Sequence, residues 1–459
     1  MASHFWRMDM PSRSNASRVF HRALAHDYPE AVSGRGCWIY DGAGRAYLDA
    51  SGGAAVSCLG HGDRRVAQAI RRQLDRLAYT HTSFFTTGVA EELADRLSAA
   101  APGGPWRVFF VSGGSEATEA ALKLARQIHV ERGQASRDHF VSRHFSYHGN
   151  TLGALSVGGH AGRRKLYGPI LSPNVRHIPP VYAYRHQQAG ETAEAYGLRM
   201  ARTLADVVDE VGSDRVIAFI AETVVGATLG AVPATPGYFR EIRSICDRHG
   251  VLLILDEVMC GMARCGSRFA FEQEGVVPDM ITLAKGLGAG YQPIGALMVN
   301  ERIVGELERG SGAFQHGHTY VGHAVACAAG LAVQEIIEQD GLVERVARTG
   351  DAMAAILRER FGDHPHVGDI RGRGLMLAME LVEDRADKRP FPAAAKLWAR
   401  VKATAMDEGL ICYPSGGAAD GTNGDHVLLA PPYTIGANEI EELVRRLDRA
   451  LARALSGIA

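Results

Sequence analysis

An isolated lysine is the first feature of this sequence that could do chemistry. Lys285 is the single charged residue in ITLAKGLGAGYQPIGALMV (281–299), where an apolar run precedes it and glycines follow. An ammonium group taken from water without a partner is costly, so this lysine needs either a route to the surface or a chemical use. The other five lysines lie in charged or helical contexts that indicate solvated side chains: Lys123, Lys165, Lys388, Lys396 and Lys402.

Two other polar groups also follow apolar, strand-like runs. Asp256 lies near the end of VLLILDEV (251–258), where a carboxylate needs a cation or several hydrogen bonds. The SGGS turn (112–115) follows WRVFFV (106–111) and precedes a helix, so its free N–H groups and the helix dipole could bind a phosphate. Singly, each has a plain structural interpretation, as a salt-bridge or capping aspartate and as a strand-to-helix turn. With an isolated amine, the set suits a molecule with a phosphate, a cationic ring nitrogen and an aldehyde, such as pyridoxal phosphate.

The elements that must position these groups alternate between apolar strands and helices. Near-continuous apolar runs at 215–223 and 251–258 indicate strands that are covered on both faces. Between them, TPGYFREIRSICDRHG predicts a helix with Thr235 as its N-cap and Gly250 just past its end. Strand, helix and strand at this spacing predict a parallel sheet, and ligands of such sheets bind at the carboxyl ends of the strands.

The pattern differs on either side of this α/β region. A hairpin over 37–49 and a helical pattern over about 62–100 come before it, and DHFVSRH (138–144) predicts one more strand within it. After about residue 330, amphipathic helices mix with short strands, which is typical of a smaller α+β domain, and 416–425 predicts an exposed loop. The short strands of this region are at 369–381 and 425–432. We therefore expect an N-terminal segment that packs with the small domain (1–60), a large α/β domain with a mostly parallel sheet (61–330) and a small C-terminal α+β domain (331–459).

The overall composition is that of a soluble globular protein. The 459 residues are 46% hydrophobic, and 50 basic residues against 51 acidic ones give a formal net charge of −1, so no nucleic-acid partner is expected. No segment has the length and apolarity of a signal peptide core or a membrane span. Seven scattered cysteines without a CxxC pair indicate reduced thiols. Together these features predict a cytoplasmic protein.

The sequence resembles the class III (ω-type) aminotransferases, a family of fold-type I pyridoxal-phosphate enzymes, over about residues 20–455. The resemblance rests on motifs that occur in the order typical of the family: SGGSEATEAALKLAR (112–126), YHGNTLGALS (147–156), AETVVGA (221–227), LILDEV (253–258), LAKGLGAGYQPIGA (283–296), HGHTYVGHAVACAAG (316–330) and RGRGLMLAMEL (371–381). It implies an amine donor, an oxo acid acceptor and two half-reactions. It also implies a homodimer with shared active sites, alone or as a dimer of dimers.

The resemblance implies a role for each matching residue. Lys285 would form the Schiff base with pyridoxal phosphate and then move the proton of the donor carbon as base and acid, while Asp256 would keep the ring nitrogen protonated. The remaining cofactor contacts would be Gly113, Gly114 and Ser115 at the phosphate, Tyr147 over the ring with His148 beside it, Val258 on the opposite face, Glu222 near the phenolic oxygen and Thr319 at the phosphate of the neighbouring subunit.

The sequence departs from the family where a substrate carboxylate would bind. Family members clamp that group with an arginine at one of three positions, which are occupied here by Asn150, Tyr413 and Leu428. Either another arginine replaces the clamp, or the main substrate has no carboxylate at that point. The arginine candidates are Arg264, Arg268 and Arg371.

The same region predicts a roomy substrate pocket. Ala55 stands near the place where amine-specific relatives carry tryptophan, and Phe84 and Phe85 could line the space with Tyr413. We therefore expect a donor that is a bulky or apolar amine, or a long-chain amine whose reacting end is remote from any carboxylate.

Several alternatives remain at the level of sequence. The same fold supports racemases, decarboxylases and aminomutases, which differ in the fate of one carbanion. A non-catalytic protein would have no physical reason to keep both Lys285 and Asp256, and a nucleotide-dependent oxidoreductase would need a GxGxxG spacing that SGGSEA lacks. The histidines of HGHTYVGH (316–323) lack interspersed acidic or cysteine ligands, so no metal is expected.

Overall fold

The structure is a computed structural model, and it describes residues 17–24, 26–456 and 458. The first sixteen residues lie outside this part. The prediction that the N-terminal segment has no signal peptide core therefore falls mostly outside the described residues. The strands, in chain order, are β1 (Ala31–Arg35), β2 (Trp38–Asp41), β3 (Ala46–Asp49), β4 (Trp106–Val111), β5 (His139–Arg143), β6 (Val175–Ile178), β7 (Val216–Glu222), β8 (Val224–Val225), β9 (Val232–Pro233), β10 (Leu252–Asp256), β11 (Met280–Leu283), β12 (Gly295–Asn300), β13 (Val367–Arg373), β14 (Met376–Leu381), β15 (Leu410–Ile411), β16 (Tyr413–Gly416) and β17 (Asp425–Leu429).

Helices separate most of these strands. They are α1 (Gly52–Ala55), α2 (Arg64–Arg76), α3 (Gly88–Ala100), α4 (Gly114–Glu131), α5 (Leu152–Val157), α6 (Ala161–Arg164), α7 (Ala183–His186), α8 (Ala193–Val211), α9 (Tyr238–His249), α10 (Glu301–Arg309), α11 (Ala324–Gln339), α12 (Leu342–Phe361), α13 (Leu397–Asp407) and α14 (Ala437–Leu455). Short 3₁₀ helices lie at Gly168–Ile170, Ala270–Glu274, Lys285–Leu287 and Ala393–Ala395.

The central sheet confirms the predicted parallel architecture. Within the described residues it has seven strands in the order β4, β12, β11, β10, β7, β5, β6. Neighbouring strands run parallel except at β12, which is antiparallel to both β4 and β11. The carboxyl ends of β4, β7, β10 and β11 therefore meet at one edge, and the candidate site residues follow those ends.

Two apolar layers cover this sheet, one on each face. Along β10, Ile254 packs in the layer that contains α4, while its neighbour Leu255 packs in the layer that contains α8 and α9. Successive side chains of a strand point to opposite faces, so a strand buried on both sides must be apolar at every position. This is the reason that 251–255 reads as a continuous apolar run.

A second region is built around two smaller sheets. One is antiparallel, in the order β13, β14, β17, β16, and the other joins β1, β2 and β3 to β15. The β3–β15 pairing is parallel and connects Leu48 with Leu410. Leu48 also shares an apolar core with α12, α13 and α14. The beginning of the described chain therefore packs against its C-terminal part.

Several boundaries differ from the sequence-based expectation. The predicted helix after Thr235 begins at Tyr238 instead, because Gly237 has a left-handed conformation (φ 85°) that interrupts helical geometry and takes the N-cap position. The expected helical stretch over 62–100 is broken between α2 and α3. The 369–381 segment forms two antiparallel strands instead of one, since Gly374 turns the chain between β13 and β14 (φ 53°).

The loop over 416–425 and one lysine are also less exposed than expected. Ala418 is 1% exposed and packs with Tyr182 and Val232, so apolar contacts hold this glycine-rich loop against β9 and the residue before α7. Lys388 is partly buried, and its Nζ donates a hydrogen bond to the main-chain oxygen of Tyr184 at 2.6 Å. The other lysines that were expected to be solvated are exposed, namely Lys123, Lys165, Lys396 and Lys402.

Candidate active site

The carboxyl edge of the central sheet encloses a cavity of about 150 Å³. The three groups singled out in the sequence line it together, since the turn after β4, the end of β10 and the start of the 3₁₀ helix after β11 all reach it. The residues around the cavity are Gly114, Ser115, Tyr147, His148, Gly149, Glu222, Ala227, Asp256, Val258, Met259, Ala284 and Lys285.

Lys285 is held in a backbone conformation that is unusual for a lysine. Its φ of 45° lies in the left-handed region, which costs free energy for a residue with a side chain and is most often found at functional sites. Burial lowers the pKa of its ammonium group, and the nearby carboxylates of Asp256 and Glu222 act in the opposite direction. A larger fraction of the side chain is therefore neutral, and able to act as a nucleophile or base, than in a solvated lysine.

Asp256 is a buried carboxylate with two fixed hydrogen bonds. Its Oδ2 atom is 2.8 Å from Nδ1 of His148, and its Oδ1 atom accepts a bond of 2.9 Å from the N–H of Val258. Asp256 is 4% exposed, and the Nε2 atom of His148 is buried without a partner among the described residues. Because these bonds fix its orientation, Asp256 is ready to accept a hydrogen bond from a protonated ring nitrogen in the cavity.

The turn before α4 leaves space and free N–H groups at one end of the cavity. A Cβ atom on Gly114 would come within 3.0 Å of Val258 Cγ1, and one on Gly149 within 2.7 Å of Ser115 Oγ. Ser115 Oγ itself accepts a bond of 3.0 Å from the N–H of Asn150. The start of an 18-residue helix with this close backbone approach is a suitable binding site for a phosphate.

Glu222, at the end of β7, accepts hydrogen bonds from two separate backbone segments beside the cavity. Its Oε1 atom accepts the N–H of Tyr147 at 3.0 Å, and its Oε2 atom accepts the N–H of Gly226 at 2.9 Å. Burial raises the pKa of the Glu222 carboxyl, His148 lowers it, and Asp256 raises it further. The orientation of the Tyr147 segment therefore depends on a carboxyl group that is already near two other titratable groups.

These residues fit pyridoxal phosphate. The helix start offers an anion site, Asp256 offers an acceptor for the ring nitrogen, Lys285 offers an amine, and Tyr147 and Val258 add a flat and an apolar surface to the lining. Within the described ranges, no group of three or more His, Cys, Asp or Glu side chains is arranged to hold a metal ion.

Six predicted site residues lie outside the cavity lining of this chain. Gly113 lies directly before Gly114, which does line the cavity, and it has φ 177° and ψ 177°. Ala55 is 2% exposed and belongs to an apolar cluster with Met259, against which Tyr413 also packs. Phe84 and Phe85 are 79% and 67% exposed, so neither side chain lines the cavity within one chain. Thr319 is also exposed, and its main-chain oxygen accepts a bond of 2.7 Å from the hydroxyl of Tyr79.

The three alternative arginines are committed elsewhere. Arg371 pairs with Glu380 at 2.7 Å and with Asp369 at 2.9 Å. Arg264 is 1% exposed and donates to the main-chain oxygens of Leu375 and Pro431. The third, Arg268, lines a separate surface pocket with Glu92 and Asp95. None of the three lines the cavity.

Sequence reasoning missed several residues at the site. Ala227, Met259 and Ala284 line the cavity. Met259 and Ala284 stand beside predicted residues, and Ala227 ends the AETVVGA motif. Gly149 was visible as the glycine of the YHG motif. Arg163 stacks on Tyr147, with 4.6 Å between its Cζ atom and the ring centroid, and no local pattern predicts this contact.

Comparison with known proteins agrees with the geometry. The chain matches the class III aminotransferase family over residues 24–451. An aminotransferase of Gibberella zeae is 44% identical over 428 residues, which are 92% of this chain and 84% of that protein. The crystal structure of an (S)-enantioselective ω-transaminase from Thermomicrobium roseum superposes with a TM-score of 0.90 at 35% identity, covering 96% of this chain and 97% of that one.

A second solved structure concerns the cofactor. The ω-transaminase of Pseudomonas jessenii in complex with PMP has a TM-score of 0.90 at 31% identity, and the match covers 98% of this chain and 99% of that chain. These relatives are aminotransferases, so the racemase, decarboxylase or aminomutase alternative is not favoured. In the described part of the chain, no helix has the length and apolarity needed to cross a membrane.

The family match extends over most of the chain, and the cavity holds the amine, carboxylate and anion site that its cofactor requires. The chain therefore belongs to the class III aminotransferases, which are fold-type I, pyridoxal-phosphate-dependent enzymes that transfer an amino group from an amine to a carbonyl acceptor.

Proposed function

We propose that the amino donor is an amine without a carboxylate next to the reacting carbon, either a bulky or apolar amine or the distal amine of a longer chain, and that the acceptor is a 2-oxo acid or another carbonyl compound. The observation that carries this proposal is the absence of a fixed cation at three positions. Asn150, Tyr413 and Leu428 occupy the places where related enzymes clamp a carboxylate. Leu428 and Ala55 share one apolar cluster beside the cavity, which favours an apolar substrate.

The catalytic roles follow from the groups around the cavity. When bound, pyridoxal phosphate supplies an aldehyde that takes up the amino group and a ring that withdraws electrons from the donor carbon. Asp256 would hold a proton on the ring nitrogen. Lys285, as a neutral amine, would take the proton from the donor carbon and return it at the next position. Its lowered pKa supports this role.

The remaining residues would bind and orient the cofactor. The turn formed by Gly113, Gly114 and Ser115 would hold the phosphate by its N–H groups. Tyr147 and Val258 would lie on opposite faces of the ring. His148 would orient Asp256, to which its Nδ1 atom is bonded at 2.8 Å, and Glu222 would lie near the phenolic oxygen.

We propose that the active enzyme is a homodimer whose two sites share residues. Phe84, Phe85 and Tyr320 are large exposed apolar side chains, and Tyr79 contacts both Thr319 and Tyr320. Such a patch on a single chain is typical of a surface that a second copy covers. In the dimer, Thr319 would reach the neighbouring phosphate and the two phenylalanines would border the neighbouring substrate pocket. Pairing of such dimers into a tetramer is compatible with this arrangement.

We also propose the division of the chain and its location. The 61–330 region would form the cofactor-binding domain, and 331–459 would form the small domain, with 1–60 packed against it. The β3–β15 pairing supports this last part. Seven free, buried cysteines favour a reducing compartment such as the cytoplasm.

A panel of amino donors tests the proposed substrate class. With pyruvate or 2-oxoglutarate as acceptor, amines that lack a carboxylate should give a kcat/KM at least about tenfold above that of simple α-amino acids, because the three clamp positions hold no cation and an apolar cluster lies beside the cavity. Tyr413→Arg should raise activity toward carboxylate-bearing donors, with Tyr47→Phe as a control away from the cavity. A wild-type preference for a simple α-amino acid would refute the proposal.

A further inference from the structure

One arginine at the edge of the cavity has no carboxylate partner within the described ranges. Arg163, in α6, is partly buried and places its guanidinium over the ring of Tyr147. Its backbone N–H is bonded to His160, the N-cap residue of α6. Among the residues that the structure describes, no carboxylate lies within ion-pair distance of Arg163. A cation that is partly removed from water and held only by a ring face is available for an anionic ligand.

The surroundings of α6 bring this cation to the side of the cavity that faces the small domain. A Cβ atom on Gly421 would lie 3.4 Å from the Cβ of Ala161, so the 416–425 loop lies directly against α6. Tyr147, on which Arg163 stacks, lines the cavity itself. The guanidinium is therefore one aromatic ring away from the cavity, close to where the two domains meet.

The other arginine that reaches the cavity wall is not available in this way. Arg143 donates a hydrogen bond to the main-chain oxygen of Glu222, but it is 2% exposed and lies over the rings of Tyr238 and Phe239. A substrate could not displace it without opening the core. Arg163 differs because it is partly exposed, contacts a cavity residue and forms no ion pair with any residue of the described part of the chain.

We propose that Arg163 binds the carboxylate of the oxo acid acceptor at the mouth of the cavity. The acceptor is taken from the proposed function, on which this inference rests. One pocket must receive an amine without a carboxylate in one half-reaction and an anionic acid in the other. Arg163 would remain stacked on Tyr147 while the donor is bound. With the acid bound, it would exchange this single stacking contact for a two-pronged, charge-assisted pair, which is the stronger interaction.

The test measures the acceptor half-reaction alone. The enzyme is first converted to its amine-loaded form with a carboxylate-free amine, and the change in cofactor absorbance is then followed after adding pyruvate or propanal. Arg163→Ala should lower kcat/KM for pyruvate roughly 10- to 100-fold, the loss expected for a charge-assisted pair. For propanal, which has no carboxylate, the change should stay within about threefold.

Two further variants sharpen the result. Lys165→Ala removes an exposed cation at the end of the same helix, so it should leave both acceptors unchanged if general attraction is not the cause. Arg163→Lys keeps the charge but loses the planar fork, so it should recover only part of the pyruvate activity and still be informative if the alanine variant folds poorly.

Two outcomes would overturn the inference. An unchanged kcat/KM for pyruvate would show that Arg163 does not meet the acid, and equal losses for pyruvate and propanal would show that it only positions Tyr147. Failure of the proposed donor class is a separate result. It would appear as a wild-type preference for α-amino acids, whether or not the Arg163 variants lose activity selectively toward carboxylate-bearing substrates.

Discussion

At the scale of single residues, the site depends on groups that are held in energetically unfavourable states. Lys285 has a left-handed backbone and a lowered pKa, and Asp256 is a buried carboxylate that faces a histidine instead of a lysine or arginine. Each state costs free energy and persists only because the surrounding structure enforces it. Their meeting in one cavity is therefore better explained by a ligand that uses both than by stability alone.

Replacing Lys285 tests its role directly. Borohydride reduction of the wild-type holoenzyme should attach the cofactor covalently to the peptide that contains Lys285, as detected by mass spectrometry. Lys285→Ala should abolish this label and lower the transamination rate by about 10²–10⁴-fold or more, because it removes the tethered base. Lys388→Ala, which replaces another partly buried lysine, should keep the label. A label on any other residue of the wild-type enzyme would contradict the assignment.

The sequence predicts Lys285 and Asp256 because each is a charged group within or at the end of an apolar run. One amine in nineteen positions, and a carboxylate at the end of an apolar run, are visible without coordinates. The contact between Arg163 and Tyr147 is not visible, since residues sixteen apart in sequence meet only through the path of α5 and the turn after it. Side-chain pairs of this kind depend on tertiary structure, and no local pattern encodes them.

At the scale of elements, a second buried carboxyl fixes the segment that follows β10. Glu257 is 1% exposed, and its side chain accepts the hydroxyl of Thr223 at 2.5 Å and the N–H groups of Ala270 and Phe271 at 2.7 and 3.0 Å. It thereby holds the 3₁₀ helix over Ala270–Glu274 against the end of β7. Val258 and Met259, which line the cavity, are at the start of the segment that it anchors.

Removing Glu257 should loosen this segment. Glu257→Ala leaves two buried N–H groups unpaired, so we expect the free energy of unfolding to fall by about 2–4 kcal/mol. The matched control is Glu272→Ala, because Glu272 caps the same 3₁₀ helix through the N–H of Phe269 but is exposed, and water can replace it. Chemical denaturation of both variants measures the difference. Equal losses would mean that the buried carboxyl has no special role.

The effect should also depend on pH. Burial raises the pKa of Glu257 from 4.5 to about 7, although the hydrogen bonds from Thr223, Ala270 and Phe271 act against this rise. The folded protein therefore binds a proton more tightly than the unfolded chain between these values, and the stability that Glu257 contributes falls as pH rises through about 7. The loss caused by Glu257→Ala should be larger at pH 5 than at pH 8.

The elements themselves follow from the sequence more closely than their ends do. Continuous apolar runs predict the central strands because both faces of that sheet are covered. The start of α9 is wrong by two residues, since the positive φ of Gly237 outweighs the capping preference of Thr235. The buried position of Ala418 could not be predicted either. A loop rich in glycine reads as exposed unless the surface that covers it is known.

At the scale of the whole molecule, one surface of the chain has the exposed apolar side chains that are typical of an interface. Phe84, Phe85 and Tyr320 expose large apolar surfaces, and Thr319 lies beside them, outside the cavity of its own chain. Family resemblance assigns Thr319 to a phosphate, yet Thr319 does not line the cavity of its own chain. Both facts are reconciled if two copies meet at this surface and each Thr319 completes the other's site.

The dimer hypothesis predicts that an exposed residue controls cofactor affinity. Thr319→Ala should weaken pyridoxal phosphate binding about tenfold, because it removes one hydrogen bond to a charged group. The measurement is the absorbance of bound cofactor during titration of the apoenzyme, at protein concentrations where sedimentation shows a dimer. Ser311→Ala, a change in the same exposed segment, is the matched control and should bind the cofactor as the wild type does. If the dimeric Thr319 variant also binds with unchanged affinity, the sites are not shared through this residue. A wild-type monomer with full activity would exclude shared sites altogether, because a single chain would then complete its own phosphate site.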